Sequence, residues 1–152
     1  VSIIYDTMWH STEQMAEPIA RGITDEGLQC KVMKLRATPM SVAVKEFWRS
    51  RGTLVGSPTM NNILFPTVAQ FLAYLRGLRP KNRIMGAFGS FGWSGGAVKE
   101  ALEIIKGMGI ETFENGLQVQ YRPSMEDEEK CYEFGRAFAR RVKEYHAGLE
   151  RS

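Results

Sequence analysis

Histidine and cysteine are scarce in this 152-residue chain: each occurs twice, as His10 and His146 and as Cys30 and Cys131. The cysteines stand far apart and form no C-x-x-C pair, which argues against a disulfide scaffold or a zinc site. With so few soft ligands, metal chemistry has little to build on. Charge of one sign is lacking too. Lys and Arg number 20 against 17 Asp and Glu, leaving +3, short of the basic stripe that nucleic-acid binding needs. An anionic ligand or partner is what that mild excess favours. No apolar run approaches the roughly 18 residues of a membrane span, so neither nucleic acid nor membrane is an expected partner. No Walker lysine pattern and no G-x-G-x-x-G follows the first strand-like run, so nucleoside triphosphates and dinucleotides fit poorly. No secretory n-region precedes Val1, which already belongs to an apolar run. The chain is expected to be a cytoplasmic piece of a longer polypeptide.

What is present reads as one globular domain, with 43% hydrophobic, 11% aromatic and 24% charged residues. Short β-rich runs alternate with longer helical patterns, the sequence form of βαβ units around a parallel sheet. Val1 to Tyr5, Thr53 to Gly56 and Ile84 to Gly89 are nearly free of charge and bounded by Ser, Thr or Gly, as strands covered on both faces should be. Gln29 to Leu35 carries two lysines, and Leu117 to Tyr121 alternates apolar with polar, so these two read as edges. Three central and two edge strands give an α/β three-layer sandwich with helices on both faces of a five-stranded parallel sheet in the order 2-1-3-4-5 and right-handed crossovers.

The helical stretches carry their own punctuation. Ser11-Thr12-Glu13-Gln14 predicts a capping box opening a helix with Met15, Ala16, Ile19, Ala20 and Ile23 on one face, ending near Gly27 and kinked at Pro18. Phe65-Pro66 predicts another start, with Val68, Phe71, Leu72 and Leu75 inward and Gly77 as its stop. A further helix is expected from about Ser94 to Gly107, burying Val98, Leu102 and Ile105. The last, from Ser124, has acids at its start and bases toward its end, matching the helix dipole. Its apolar stripe is Cys131, Phe134, Phe138 and Val142.

In an open parallel sheet of this order, ligands bind beyond the carboxyl ends of the strands, where the strand order reverses. Three loops lie there. The first is Thr7-Met8-Trp9-His10-Ser11-Thr12, the second Ser57-Pro58-Thr59-Met60-Asn61-Asn62, and the third Ser90-Phe91-Gly92-Trp93-Ser94-Gly95-Gly96. The first leads into a helix N-terminus, where backbone N–H groups and the hydroxyls of Thr7, Ser11 and Thr12 favour a phosphate; alternatively Ser11 and Thr12 only cap the helix. Trp93, among glycines, suits stacking on a flat ring or stands as a half-buried surface indole. Asn61 and Asn62 offer amides to ring edges or form a turn.

The strings Y-D-T-M-W-H-S-T, L-V-G-S-P-T-M-N-N and A-F-G-S-F-G-W-S-G-G-A resemble the flavodoxin-like domain of flavodiiron proteins, the A-type flavoproteins. G-L-R-P-K-N and C-Y-E-F-G-R extend the likeness along essentially the whole chain. The resemblance implies a non-covalently bound FMN, with Thr7 to Thr12 around the phosphate, Ser57 to Asn62 along one side of the isoalloxazine and Ser90 to Gly96 along the other, Trp93 near the ring. It also implies electron transfer from a rubredoxin-like or flavin-reductase donor to a diiron centre that reduces oxygen or nitric oxide. That centre would lie in a preceding metallo-β-lactamase-like domain of a homodimeric parent. The histidine and carboxylate ligands of such a centre are absent here. The first loop also departs from free-standing flavodoxins, carrying Trp9 and His10 where they have glycine, and the chain is basic where they are usually acidic. A basic domain suits an acidic donor through electrostatic steering.

Three rival readings use the same loops. Gly92 to Gly96 satisfies G-x-S-x-G, and Asp127 and His146 follow in the order of an α/β-hydrolase triad, but Gly89-Ser90-Phe91 separates this elbow from its strand. A phospho-acceptor receiver needs several acids after the first strand and an aspartate after the third. Only Asp6 is present, with Ser57 in the other place. A non-catalytic interaction module needs no cofactor, and a colourless protein that stays colourless with added FMN would favour it.

Overall fold

A computed structural model describes residues 1–93, 95–113 and 116–151. The strands are β1 (Ser2–Tyr5), β2 (Lys31–Lys34), β3 (Gly52–Met60), β4 (Ile63–Leu64), β5 (Ile84–Phe91), β6 (Glu111–Thr112) and β7 (Leu117–Gln120). The helices are α1 (Ser11–Asp25), α2 (Met40–Arg49), α3 (Pro66–Leu78), α4 (Ala97–Gly107) and α5 (Met125–Arg151), and a 3-10 turn covers Leu35–Ala37. The sheet runs β2-β1-β3-β5-β6, with β7 also on β5, all parallel, and β4 folding back antiparallel on β3. This is the expected 2-1-3-4-5 order, with β5 as its fourth member. Its fifth member is split: β6 pairs the start of β5 and β7 its end, so the expected edge at Leu117 is only the second half.

Alternation along the strands builds a core on each face. Ile3 and Leu54 turn toward α1 and α5, while Ile4 and Val55 turn toward α2, α3 and α4. All four are at most 1% exposed, which a parallel sheet covered on both sides requires. The inward faces expected of α1, α3, α4 and α5 are the ones buried, with Ala20 and Phe134 partly so. Cys131 is buried and Cys30 partly so, and burial raises their thiols to about 12 and about 11 respectively.

Three local expectations need correction. No side chain caps α1, whose cap is His10 in a left-handed conformation at φ 66°, so Ser11 to Gln14 is not a capping box. Helix α4 begins at Ala97 and not at Ser94, because Gly96 at φ −175° is still extended. Gly77 lies inside the last turn of α3, which is stopped by Arg79 at φ 51°. Helix α1 passes through Pro18 without ending. The capping box occurs instead at α5, where the Ser124 Oγ accepts from the Asp127 N–H at 3.1 Å and the Asp127 carboxylate accepts from the Ser124 N–H at 3.0 Å.

Helices α1 and α5 touch through glycine. A Cβ on Gly22 would lie 2.1 Å from the Tyr132 carbonyl oxygen, and one on Gly135 would lie 2.1 Å from that of Ile19. Backbone cannot yield as a side-chain tip does. Gly22→Ala is therefore expected to force the helices apart and lower the unfolding free energy by about 1–3 kcal/mol. Urea unfolding measures this, and an unchanged midpoint would contradict the close packing.

Candidate functional site

β1 ends at Tyr5, level with Gly56 and Phe88, while β3 and β5 run on to Met60 and Phe91, and the segments beyond that level meet around an open cleft of about 210 Å³. Met8, Trp9 and Ser11 from the first loop, Pro58 and Thr59 from the second, and Ser90, Phe91 and Gly92 from the third line it. Tyr121 and Arg122, just beyond β7, complete the wall and were not expected from the sequence. Tyr121 turns out of the strand at φ 59° and is 60% exposed.

Beneath the first loop the chain leaves β1 through Asp6, which is fully buried. Its carboxylate accepts from the Thr7 N–H at 2.8 Å and the Thr67 hydroxyl at 2.6 Å, and the Arg36 Nε lies 3.5 Å away. Arg36 also donates to the Thr7 carbonyl at 2.5 Å. These contacts fasten the loop to α3 and to the turn after β2.

The loop then enters α1. The first intrahelical bond runs from the Gln14 N–H to the His10 carbonyl, so the amides of Ser11, Thr12 and Glu13 precede the ladder, and no side chain caps them. Close by, the Thr7 hydroxyl oxygen is buried without a partner, although the residue is only 4% exposed. An orphaned buried hydroxyl is costly unless a ligand meets it. Uncapped amides, the positive end of a helix dipole and a waiting donor are the donor set for an oxyanion such as phosphate.

Of the other expected hydroxyls, that of Ser11 stands at the cleft wall, and those of Thr12, Ser90, Ser57 and Thr59 are committed within the protein. Thr12 and Ser90 are bonded to each other at 2.9 Å. Ser57 accepts from the Phe65 N–H at 3.0 Å and donates to the Pro58 carbonyl at 2.8 Å, while Thr59 accepts from the Ala97 N–H at 3.2 Å. Their side chains fix loop shape. Asn61 and Asn62, at φ 50° and 68°, close the β3–β4 hairpin, so the turn-forming alternative is what the fold uses. Met60 belongs to β3 in that hairpin. Gly96 is pressed against it: a Cβ there would lie 2.2 Å from the Asn62 carbonyl oxygen, and one on Gly95 would meet the Gln118 side chain at 2.1 Å. Trp93 is 98% exposed and does not line the cleft, and Ser94 lies outside the described residues.

His10 is not among the residues lining the cleft, and its Nδ1 lies 2.9 Å from the Glu13 carboxylate. Glu13 also takes the Tyr5 hydroxyl at 2.9 Å and Lys34 at 2.9 Å. Lys34 first, then His10 and Tyr5, hold its carboxyl down at about 2, and burial and the same carboxylate push the Tyr5 hydroxyl up.

The hydrolase constellation is not assembled. Asp127 caps the start of α5, whereas His146 sits 19 residues further along the same helix, bonded to Glu150 at 2.9 Å. The rise of a helix separates them by about 28 Å. Asp6, needed by a receiver site, is enclosed by its partners, and no group of three potential metal ligands occurs among the described residues.

Comparison with known proteins places the chain in a family. The family model described as Flavodoxin matches residues 3–135. A nitric oxide reductase of Moorella thermoacetica is 45% identical over 141 residues, 92% of this chain but 35% of that protein. The solved rubredoxin oxygen:oxidoreductase of Desulfovibrio gigas superposes with a TM-score of 0.92 at 42% identity, over 96% of this chain and 36% of that one. A flavodoxin from the domain Archaea superposes at 0.84 with 26% identity, covering 93% of this chain and 98% of its own. The chain thus spans about a third of the two larger relatives and nearly all of a flavodoxin.

The Glu13 cluster generates a pH prediction. Because its folded carboxyl is held below the ordinary 4.5, its stabilisation is complete above pH 4.5 and is lost as pH falls toward about 2. Glu13→Gln should lower stability at neutral pH by about 1 kcal/mol after solvent screening and flatten the acid limb across that window. Urea unfolding at several pH values measures it, and identical acid limbs would refute the assignment.

Proposed function

The chain belongs to the flavodoxin family, and from that premise we propose that it is the FMN-binding electron-transfer domain of a flavodiiron protein. One observation carries the reading: the buried, partnerless Thr7 hydroxyl beside the uncapped N-terminus of α1. That donor set fits the phosphate of FMN, and the cleft beside it, lined by Met8, Trp9, Pro58 and Phe91, fits a flat apolar ring. When bound, FMN supplies the redox chemistry, taking up and releasing electrons.

The chain's own residues bind and orient. Thr7 to Thr12 receive the phosphate, Ser57 to Asn62 and Ser90 to Gly96 receive the ring, and Trp93 is free to fold onto its exposed face. The bonded pairs beneath, Thr12 with Ser90 and Thr59 with Ala97, keep the loops from adjusting, so the ring is held in a preformed slot. Met8, Pro58 and Phe91 exclude water from its inner side. Among the described residues no carboxylate or imidazole lines the cleft, and no side chain is assigned as acid or base.

The parent is proposed to be a longer chain of which this is the C-terminal part, supported by relatives about three times its length. In such a parent, FMN held by these loops would supply electron transfer from a rubredoxin-like or flavin-reductase donor to a diiron centre in a metallo-β-lactamase-like domain, where oxygen or nitric oxide would be reduced. A homodimeric parent in the cytoplasm completes the proposal. No helix among the described residues is long and apolar enough to cross a membrane, and the +3 net charge suits an acidic donor.

The purified chain should take up FMN and show the bound-flavin visible spectrum; failure to bind at micromolar FMN would refute the reading. Thr7→Val separates the cradle from simple stability. It removes an unsatisfied buried hydroxyl, so the apo domain should gain up to about 1 kcal/mol, while FMN affinity falls about tenfold or more. Unchanged affinity in a flavin-fluorescence titration would remove Thr7 from the phosphate.

A further inference from the structure

We infer that Arg122 is the residue that sets the preference of this domain for reduced over oxidised flavin. The inference rests on the FMN reading above. Of the described residues lining the cleft, Arg122 alone carries a full charge. It makes no hydrogen bond or ion pair with any described residue, whereas Arg36, beneath the first loop, is occupied with Asp6 and Thr7.

Its placement is built. The Tyr121 N–H donates to the Phe91 carbonyl at 2.7 Å, and the Gln120 amide donates to the Gly92 carbonyl at 3.1 Å, so the end of β7 is tied to the third loop. Immediately after these ties Tyr121 adopts φ 59°, a conformation costly for an aromatic residue. That turn ends the strand and brings Arg122 to the cleft wall beside Phe91 and Gly92.

Arg122 stands at the end of the cleft opposite the phosphate cradle. β7 is three strand spacings from β1 in the sheet, about 14 Å. The cation therefore belongs to the ring end of the bound flavin. Two electrons and one proton convert the neutral oxidised ring to an anionic reduced ring, and no atom of the chain is consumed. A cation beside it stabilises the product more than the reactant. Because Arg122 is exposed, the effect should be moderate and should shrink as salt rises.

The experiment is reductive titration of the FMN-loaded domain with dithionite against a reference dye, for the wild type, Arg122→Gln, Arg122→Lys and Arg122→Glu. Affinities for oxidised FMN and oxidised riboflavin are measured in parallel. Arg122→Gln should reduce the preference for reduced over oxidised flavin about tenfold, a fall of about 30 mV in the two-electron midpoint. Arg122→Glu should lower it further and Arg122→Lys should keep most of it, with both oxidised affinities changed by less than about threefold. A midpoint unchanged in Arg122→Gln with FMN still bound overturns the inference. A loss of FMN affinity with riboflavin affinity intact also overturns it, placing Arg122 on the phosphate. If the wild type binds no flavin, the FMN reading itself fails.

Discussion

A buried carboxylate governs the carboxyl end of this sheet. Asp6 is fully enclosed where β1 stops, and a charge in that position is tolerated only while its partners stay in place. The Thr7 amide, the Thr67 hydroxyl and the Arg36 guanidinium come from three different parts of the chain. Satisfying one side chain thus requires the first loop, α3 and the turn after β2 to meet. The loop can neither continue the strand nor fold down over the sheet, and it delivers uncapped amides to the surface at the start of α1. Arg36 reinforces this by holding the Thr7 carbonyl and lying 5.5 Å from the Phe65 ring, next to the start of α3.

The second and third loops are fixed by close backbone approach. A Cβ on Gly89 would collide with the Ser57 carbonyl oxygen at 2.1 Å, so β3 and β5 draw together just below the cleft. The hairpin closed by Asn61 and Asn62 is fastened to α4 by the Leu64 N–H donating to Glu100 at 3.1 Å and by the Thr59–Ala97 bond. The Ser57, Thr59 and Glu100 side chains are spent on such ties, leaving the Thr7 and Ser11 hydroxyls and the α1 amides for an anion. Trp9 and Tyr121 in the cleft wall remain exposed. Preorganised polar groups at one end and an apolar slot beside them match a cofactor with a phosphate tail and a flat ring.

Much of this was legible in the sequence because the signals were local. Charge-free runs identify β1, β3 and β5 as central, and the three polar loops follow from the strand order alone. What was missed depends on distant partners. Glu13 has the spacing of a capping residue, yet Lys34, His10 and Tyr5 draw its carboxylate outward, and His10 takes the left-handed cap instead. The fifth strand is interrupted around Gly116, which sits at φ 79° with Ala87 and Val98 too near for a Cβ, so its first segment is too short to give an alternating pattern. Tyr121 and Arg122 follow a strand of ordinary alternation, and only the tie from Tyr121 to Phe91 brings them to the cleft.

Backbone amide chemical shifts followed while FMN is added test the central claim most directly. Perturbations should concentrate at Thr7 to Thr12, at Ser57 to Asn62, at Ser90 to Gly96 and at Tyr121 and Arg122. The opposite end of the sheet, where Arg49, Arg51, Lys81 and Arg83 cluster, should stay unchanged. Perturbation centred on that basic cluster, or none at saturating FMN, would contradict a flavin site at the carboxyl end of the sheet.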